Sequence, residues 1–467
     1  MPRTMVINVA GLAKELIAEV PSVAALGNRG VACALEPVLP AVTCTMQATL
    51  STGEPPARHG IICNGLYFFD TAEVRFWEQS AHLVNAPRVW DLPVRDAQRQ
   101  TRNEKRKSPP PHPKSEIRNP KSRVAVLFWQ QSMYGTADVL LTPKPIHGPG
   151  DQLIQDCYSR PADLYQRLAA GPSALEPGKP RGPFNLMHYW GPMAGIGGSR
   201  WIADASLAVW RDERPDLMLT YLPHLDYTGH RAGPDSDAHR AAARELEPLL
   251  AALLAAAEAD GARAIVLSEY SFIAVRQQVA LNRALRQGGY LAIREVAGAE
   301  YLVPGDSRAF AMVDNQVAHV YFPRTADLAA ETRKVKRLLE GVDGVAEVLD
   351  REALAARGLD HVRSGELVAL ARPDAHFVYY WWLDDAKAPP FARTVDIHAK
   401  PGFDPAELLI DMERKCIPLS ADRIRGSHGL VLEDGRGWGV FVASGLAREL
   451  ARRKSLRAAE VAHLLTA

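Results

Sequence analysis

PAVTCTMQATLSTGEPPARHGIICN, residues 40–64, carries the most information in this 467-residue chain. It reads as a turn that delivers Thr43 to the start of a short helix. Gly53 ends that helix and a Pro-rich turn follows at Pro55 and Pro56. A helix start presents unpaired backbone N–H groups and the positive end of the helix dipole, which together favour an anion. A threonine there is well placed to attack a phosphate. Taken alone it reads as a cap on the helix, as Thr often is, so the nucleophile reading depends on the surrounding chain.

Working outward, strand-like and helix-like segments alternate, the pattern of a mostly parallel sheet covered by helices. Strands are expected at Met5–Ala10, Arg123–Trp129, Asp216–Leu222, Ala262–Ser268 and Trp438–Ser444. A periodic Ala/Leu/Glu-rich helix is expected over Ala238–Asp260 with Gly261 closing it, and a final helix over Leu446–Leu465. Two segments break the rhythm. Gln98–Ser122 is basic, Pro-rich and nearly free of apolar residues, so it reads as a disordered surface insert. The stretch from Ala274 to Ala392 carries its own strands (AFAMVDNQVAHVYFP and HFVYYWW) and its own helix, Ala326–Leu339. The expected division is an α/β core over 1–273, holding the basic insert 98–122, an inserted α+β cap over 274–392, and the rest of the core over 393–467.

Composition narrows the function classes. Hydrophobic content of 47% and charged content of 23% are ordinary for a soluble globular protein. A formal net charge of +1 gives no global field for nucleic acid or a membrane surface. The five cysteines lack CxxC spacing and read as free thiols of a reducing compartment, so a cytoplasmic location is expected. The N-terminal apolar run is too short for a signal peptide and suits a first core strand. No apolar run reaches the roughly 18 residues of a membrane span.

In a parallel sheet, ligands bind beyond the carboxyl ends of the strands. Just past Asp216–Leu222 come Asp226 and His230, four residues apart, and near the C-terminus His428 sits in a Gly-flanked turn. An Asp and two His give one divalent ion three protein ligands and leave a position open, the pattern of a catalytic site. Taken singly, each is better explained as a surface or capping residue, and the metal reading rests on all three falling at a strand end or Gly turn. Gly195-Ile-Gly-Gly198 lacks the Lys-Ser/Thr of a phosphate loop. Cys44 reads as a small core residue. Asp314 and His319 are candidates for lining a pocket, with structural roles equally open, and Tyr379–Trp382 for strand packing.

The order of PAVTCT, STGEPPARHGIICN, LDYTGH, LSEY and GSHG resembles the nucleotide pyrophosphatase/phosphodiesterase branch of the alkaline phosphatase superfamily (type I phosphodiesterases). The matching blocks run in the family's order over about two thirds of the chain. The resemblance implies an alkaline-phosphatase-like α/β fold, Thr43 as nucleophile, Asn64 as a phosphate-oxygen holder, and Asp226, His230 and His428 as ligands of a divalent metal, expected to be zinc. It departs at the second metal site. Ala10 stands where an Asp is expected, and Glu269-Tyr270 replaces an Asp-His pair. Glu269 is then expected as a metal ligand or as the base for Thr43, since Tyr is a poor ligand while protonated, with a reference pKa near ~10. Asn8, on the strand face of Ala10, and the Asp396/His398 pair are further candidates for a rebuilt second site. The function expected is metal-dependent hydrolysis of a small-molecule phosphoric ester by the Thr43 hydroxyl, with neither nucleic acid nor membrane as partner. The alternatives are a phosphate-compound-binding pseudoenzyme, or a phosphoryl or sulfuryl transferase on the same fold.

Overall fold

The computed structural model describes residues 3–91, 122–324, 326–446 and 450–466. The basic segment Gln98–Ser122 lies outside these but for its last residue. Strands of the central sheet are β1 (Thr4–Val9), β2 (Val31–Glu36), β3 (Val124–Leu127), β4 (Val139–Pro143), β5 (Cys157–Arg160), β6 (Leu217–Leu222) and β7 (Arg263–Leu267). A second sheet holds β8 (Phe310–Asp314), β9 (Val317–Tyr321), β10 (Val345–Leu349) and β11 (Leu367–Ala371), after which β12 (Gly439–Ala443) and β13 (Ser455–Arg457) return to the first. The principal helices are α1 (Pro21–Arg29), α2 (Thr43–Thr52), α3 (Ile196–Asp212), α4 (His224–Ala232), α5 (Asp237–Ala259), α6 (Leu328–Glu340) and α7 (Ala458–Thr466).

Among the described residues the central sheet is nine-stranded, in the order β13-β2-β12-β7-β1-β6-β3-β4-β5. Its middle is parallel, with β1 between β6 and β7 and β3 beyond β6. β12 runs antiparallel between β7 and β2, and β5 is antiparallel at the edge. This is the fold class expected from the alternating pattern. All six residues of β1 are buried, as a strand covered on both faces requires. Met5, Ile7 and Val9 join α3 and α5 in one core, while Val6 faces Met46 and Leu50 of α2 and Val461 and Leu465 of α7 in another. By the same alternation Asn8 faces the α2 side.

The second sheet is antiparallel in the order β8-β9-β11-β10. The run expected as the strand HFVYYWW pairs only over Ala375–Phe377. Beyond it, side chains satisfy three of the carbonyls. The carbonyl of Tyr379 accepts from Asn282 Nδ2, that of Trp381 from Arg286 and that of Trp382 from Arg283. The C-terminal helix is shorter than expected, because Ser455–Arg457 pairs with the free edge of β2 before α7 begins.

Candidate active site

The segment that opened the sequence reading forms α2, and its start is built differently from a capped helix. Val42, extended at φ −127° and ψ 155°, is the cap position, and no side chain caps the helix from there. Thr43 is the first helical residue, 4% exposed. Its Oγ1 lies 3.0 Å from Tyr270 Oη, and Tyr270 donates to Asp226 Oδ1 at 2.9 Å. A tyrosine has one O–H. With that proton given to Asp226, the Thr43 hydroxyl is the donor in its pair with Tyr270. Gly53, at φ 73°, terminates the helix by donating to the Thr49 carbonyl.

Asp226 and His230 share one face of α4, four residues apart, immediately past β6. His428 follows a short strand, Gly426–Ser427, that pairs with Ile273–Ala274 just downstream of β7. One ligand atom from each of Asp226, His230 and His428 lies within 4.8 Å of the others, and all three residues are buried. The ring contacts define the tautomers. His230 Nδ1 faces the Gly426 carbonyl at 3.0 Å and His428 Nδ1 faces the Ala41 carbonyl at 2.8 Å. A carbonyl only accepts, so each Nδ1 carries the proton and each Nε2 turns a lone pair toward Asp226 Oδ1, 3.8 Å away in both cases. Burial lowers the pKa of His230 to about 4 and of His428 well below its ordinary value, so both rings are neutral, as metal ligands must be. Burial raises Asp226 to about 7 against the opposing hydrogen bond from Tyr270. His230 Nε2 has no hydrogen-bond partner among the described residues. A buried, unpartnered lone pair beside a carboxylate and a second imidazole fits a divalent cation.

The neighbouring second site does not fit one in the same way. Ala10 supplies a methyl group and a backbone N–H spent on the Leu222 carbonyl. The Tyr270 ring lies flat on His428, with centroids 3.7 Å apart and planes 5° apart, so its hydroxyl reaches between Thr43 and Asp226 instead of serving as a ligand. Burial holds that phenol well above its ordinary pKa. Glu269 is fully buried, and its Oε2 accepts from Asn8 Nδ2 at 2.9 Å while its Oε1 and the Asn8 Oδ1 have no hydrogen-bond partner among the described residues. Burial pushes Glu269 up to about 8, opposed by the Asn8, Gln47 and Thr43 side chains that face it and reinforced by the charge of Asp226.

Asn64 reaches α2 from the far side of the Pro-rich turn. Its Oδ1 accepts from the Cys44 N–H at 2.9 Å and so satisfies one of the orphan donors at the helix start. The Cys44 side chain is fully buried and its thiol is pushed far up by burial, so it stays neutral. The other candidates lie elsewhere. Asp396 Oδ1 accepts from the backbone of His398 and Ala399 within its own turn, and the His398 side chain is exposed, so the pair builds no second metal site. Gly195 precedes α3, and Tyr379–Trp382 are buried packing residues. Two contacts were invisible in the linear sequence: the Tyr270 bridge from Thr43 to Asp226, and the bonding of Asn64 to Asp314 of the second sheet. Only the Glu-Tyr in place of Asp-His signalled the first, and nothing signalled the second.

A mostly parallel sheet carrying a buried Asp/His/His group beyond its carboxyl edge is the scaffold of an α/β protein with a site suited to a divalent ion. The chain belongs to the type I phosphodiesterase / nucleotide pyrophosphatase family, whose model matches residues 4–404. Phosphonoacetate hydrolase from Sinorhizobium meliloti 1021, solved with phosphonoformate, matches with a TM-score of 0.59 at 17% identity, over 100% of this chain and 95% of the other. Murine ectonucleotide pyrophosphatase/phosphodiesterase 5 matches with a TM-score of 0.58 at 13% identity, over 99% of this chain and 94% of the other. Its inactive threonine-to-alanine form in complex with AMP gives 0.59 at 13% identity, over 100% and 94%. At these identities the likeness is one of fold. A comparison with curated protein sequences found no match.

Proposed function

We propose that this chain hydrolyses phosphoric esters of small molecules, in the manner of a phosphodiesterase or nucleotide pyrophosphatase, with Thr43 as nucleophile and one divalent metal ion. The observation that carries the reading is the continuous chain of contacts from Thr43 Oγ1 through Tyr270 Oη to Asp226, which joins the helix-start hydroxyl to the Asp/His/His group. Asp226, His230 and His428 would hold the ion, and zinc suits their donor set. Such an ion supplies Lewis-acid stabilisation of negative charge at the reacting phosphoryl group.

The residues of the chain account for the other requirements. Tyr270 fixes the Thr43 side chain at the positive end of α2, where the helix start favours the phosphoryl oxygens. Thr43 Oγ1 forms a bond to phosphorus as the ester P–O bond breaks, and its hydroxyl turns from Tyr270 Oη to the neighbouring Glu269 to give up its proton. Oε1 of Glu269, left without a partner, is the oxygen that receives it. A carboxyl poised near neutrality suits proton transfer. Asn64 and the backbone N–H groups at the start of α2 hold non-bridging oxygens. A water oxygen then bonds to phosphorus as the Thr43 Oγ1–P bond breaks, Glu269 returns the proton to Thr43, and one proton of the water neutralises the alkoxide released in the first step. The stretch 274–392 is proposed as a cap on this site. The five free cysteines favour a reducing, cytoplasmic setting.

One observation favours the rival reading, a phosphate-compound-binding pseudoenzyme. Ala10 and Tyr270 remove ligands that the resembled enzymes use to activate the threonine. Turnover of bis(4-nitrophenyl) phosphate separates the two. Thr43→Ala should abolish it while melting at the wild-type temperature, and Cys44→Ala should keep most of it. Equal turnover by Thr43→Ala and wild type removes Thr43 from the reaction. A wild-type protein that binds inorganic phosphate but turns over no ester establishes the rival.

A further inference from the structure

Asp314 is the last residue of β8 and lies 250 positions from Asn64 in the chain, yet it is bonded to Asn64 twice. Its Oδ2 accepts from the Asn64 backbone N–H at 2.8 Å and from the Cys63 thiol at 3.1 Å. Its Oδ1 accepts from Asn64 Nδ2 at 3.1 Å and from Asn315 Nδ2 at 3.0 Å. The carboxyl group has no exposure to solvent. One strand along, His319 takes hold of the same segment. Its Nδ1 accepts from the Gly365 N–H at 3.2 Å, so its Nε2–H is the donor to the Ile62 carbonyl at 3.3 Å. The second sheet thus grips residues 62 to 64 from β8 and β9 together.

A buried carboxyl group is costly unless its hydrogen bonds repay the lost hydration, and packing alone would be served by an apolar residue. What the carboxyl adds is direction. An amide side chain has a donor end and an acceptor end, and a carboxylate tolerates only the donor end. With Nδ2 held on Asp314, Oδ1 must face the Cys44 N–H. A flipped amide would set Oδ1 against the carboxylate and Nδ2 against the Cys44 N–H, two mismatches at once. Nδ2 spends one hydrogen on Asp314 and keeps a second, whose direction is then fixed by the amide plane.

We propose that Asp314 is a positioning residue for the phosphate-oxygen-holding amide of Asn64, by which the second sheet sets the geometry of the attacked phosphoryl group. The inference rests on the hydrolase reading for the role of Asn64, and Asp314 itself touches no substrate. Burial raises the Asp314 carboxyl to about 6 against the lowering bonds from Asn64, Cys63 and Asn315, so above that pH it is the acceptor-only carboxylate that orients the amide.

A double-mutant cycle tests the proposal. Asn64→Ala should lower kcat for bis(4-nitrophenyl) phosphate by about 10²-fold, the usual loss of one oxyanion-holding donor. Asp314→Asn, which turns an NH2 toward the donors of Asn64, should lower kcat by at least ~10-fold with KM within about 3-fold, since it acts on an interaction strengthened in the transition state. The double variant should be no slower than Asn64→Ala alone. Losses that multiply in the double variant, or a correctly folded Asp314→Asn with full kcat, overturn the proposal. If Asp314→Asn does not fold, Asp314→Ser takes its place in the cycle with the same criterion, since its hydroxyl can still accept one of the two donors. If wild type turns over no ester, the hydrolase reading fails by itself, and calorimetric binding of inorganic phosphate then reads the cycle. Equal, non-additive weakening by the two single variants supports the positioning role. Additive weakening, or no phosphate binding by wild type, overturns it.

Discussion

At the scale of single residues, the chemistry turns on a substitution. The family resemblance marks Thr43, Asn64, Asp226, His230 and His428 individually, and the fold gathers the last three around one point. By the resemblance Ala10 and Tyr270 stand where metal ligands are expected, and the sequence alone makes Ala10 unable and a protonated Tyr270 poorly suited to serve as one. It cannot show that Tyr270 stacks on His428 and bridges Thr43 to Asp226, because that depends on how β7 is placed against α2 and α4. Two outcomes follow for the metal and the base. Wild type purified without chelators should carry one divalent ion per chain by elemental analysis, and His428→Ala should lose it. Glu269→Gln keeps the shape of the side chain and removes its charge, so it should lower turnover by at least ~10²-fold, the scale of a lost positioned base. It should leave the metal content at one ion. Two ions in wild type, with one lost in Glu269→Gln, would make Glu269 a ligand instead of a base.

At the scale of elements, what local chemistry dictates was legible. Gly53 and Gly261 end α2 and α5 where the sequence places them, and both adopt left-handed backbone conformations, at φ 73° and 62°. The core strands fall within a residue or two of their expected positions at most ends, as runs of buried apolar residues do. What tertiary partners dictate was not legible. Residues 379–382 look like strand, but the carbonyls of Tyr379, Trp381 and Trp382 accept from side chains of 282–286, and Ser455–Arg457 looks like helix but pairs with β2. The two glycines also differ in their surroundings. A Cβ on Gly53 would stand 3.2 Å from the Ala459 carbonyl oxygen and 3.2 Å from Ala462 Cβ in α7, whereas one on Gly261 would meet nothing within 4 Å. Gly261→Ala should therefore cost about 1–2 kcal/mol from backbone strain alone. Gly53→Ala should cost more, because α7 must shift as well. Urea unfolding of both variants checks the order, and equal losses would mean that the contact with α7 yields freely.

At the scale of the whole molecule, burial sets the response to pH, and it acts in two directions. Asp314 at about 6, Asp226 at about 7 and Glu269 at about 8 are raised above the usual carboxyl range. Their contribution is present in acid and lost as pH rises through those values. The buried histidines act oppositely. His59 and His319 are lowered to about 3, and His239 and His376 to about 4, chiefly by burial. Each is neutral in the folded protein but takes a proton in the unfolded chain below about 6.5, so its contribution is full above that pH and drains as pH falls toward the folded value. His59 isolates the effect, since it lies against Thr49 at the far end of α2 from Thr43. Its Nδ1 accepts from the Ile61 N–H at 3.1 Å, so the neutral ring donates from Nε2 to Thr49 Oγ1 at 2.9 Å. Protonating Nδ1 would break the first bond. His59→Asn offers an amide oxygen near the Nδ1 position and does not titrate. It should be less stable than wild type at pH 8, and the gap should close by about 1.4 kcal/mol for each pH unit below roughly 6. Comparing the two proteins at each pH cancels the opposing carboxyl groups, which both share. Unfolding free energies from urea titrations at pH 8, 7, 6 and 5 supply the measurement, and a gap that stays constant across that range would show that His59 is already protonated, or exposed to water, in the folded state.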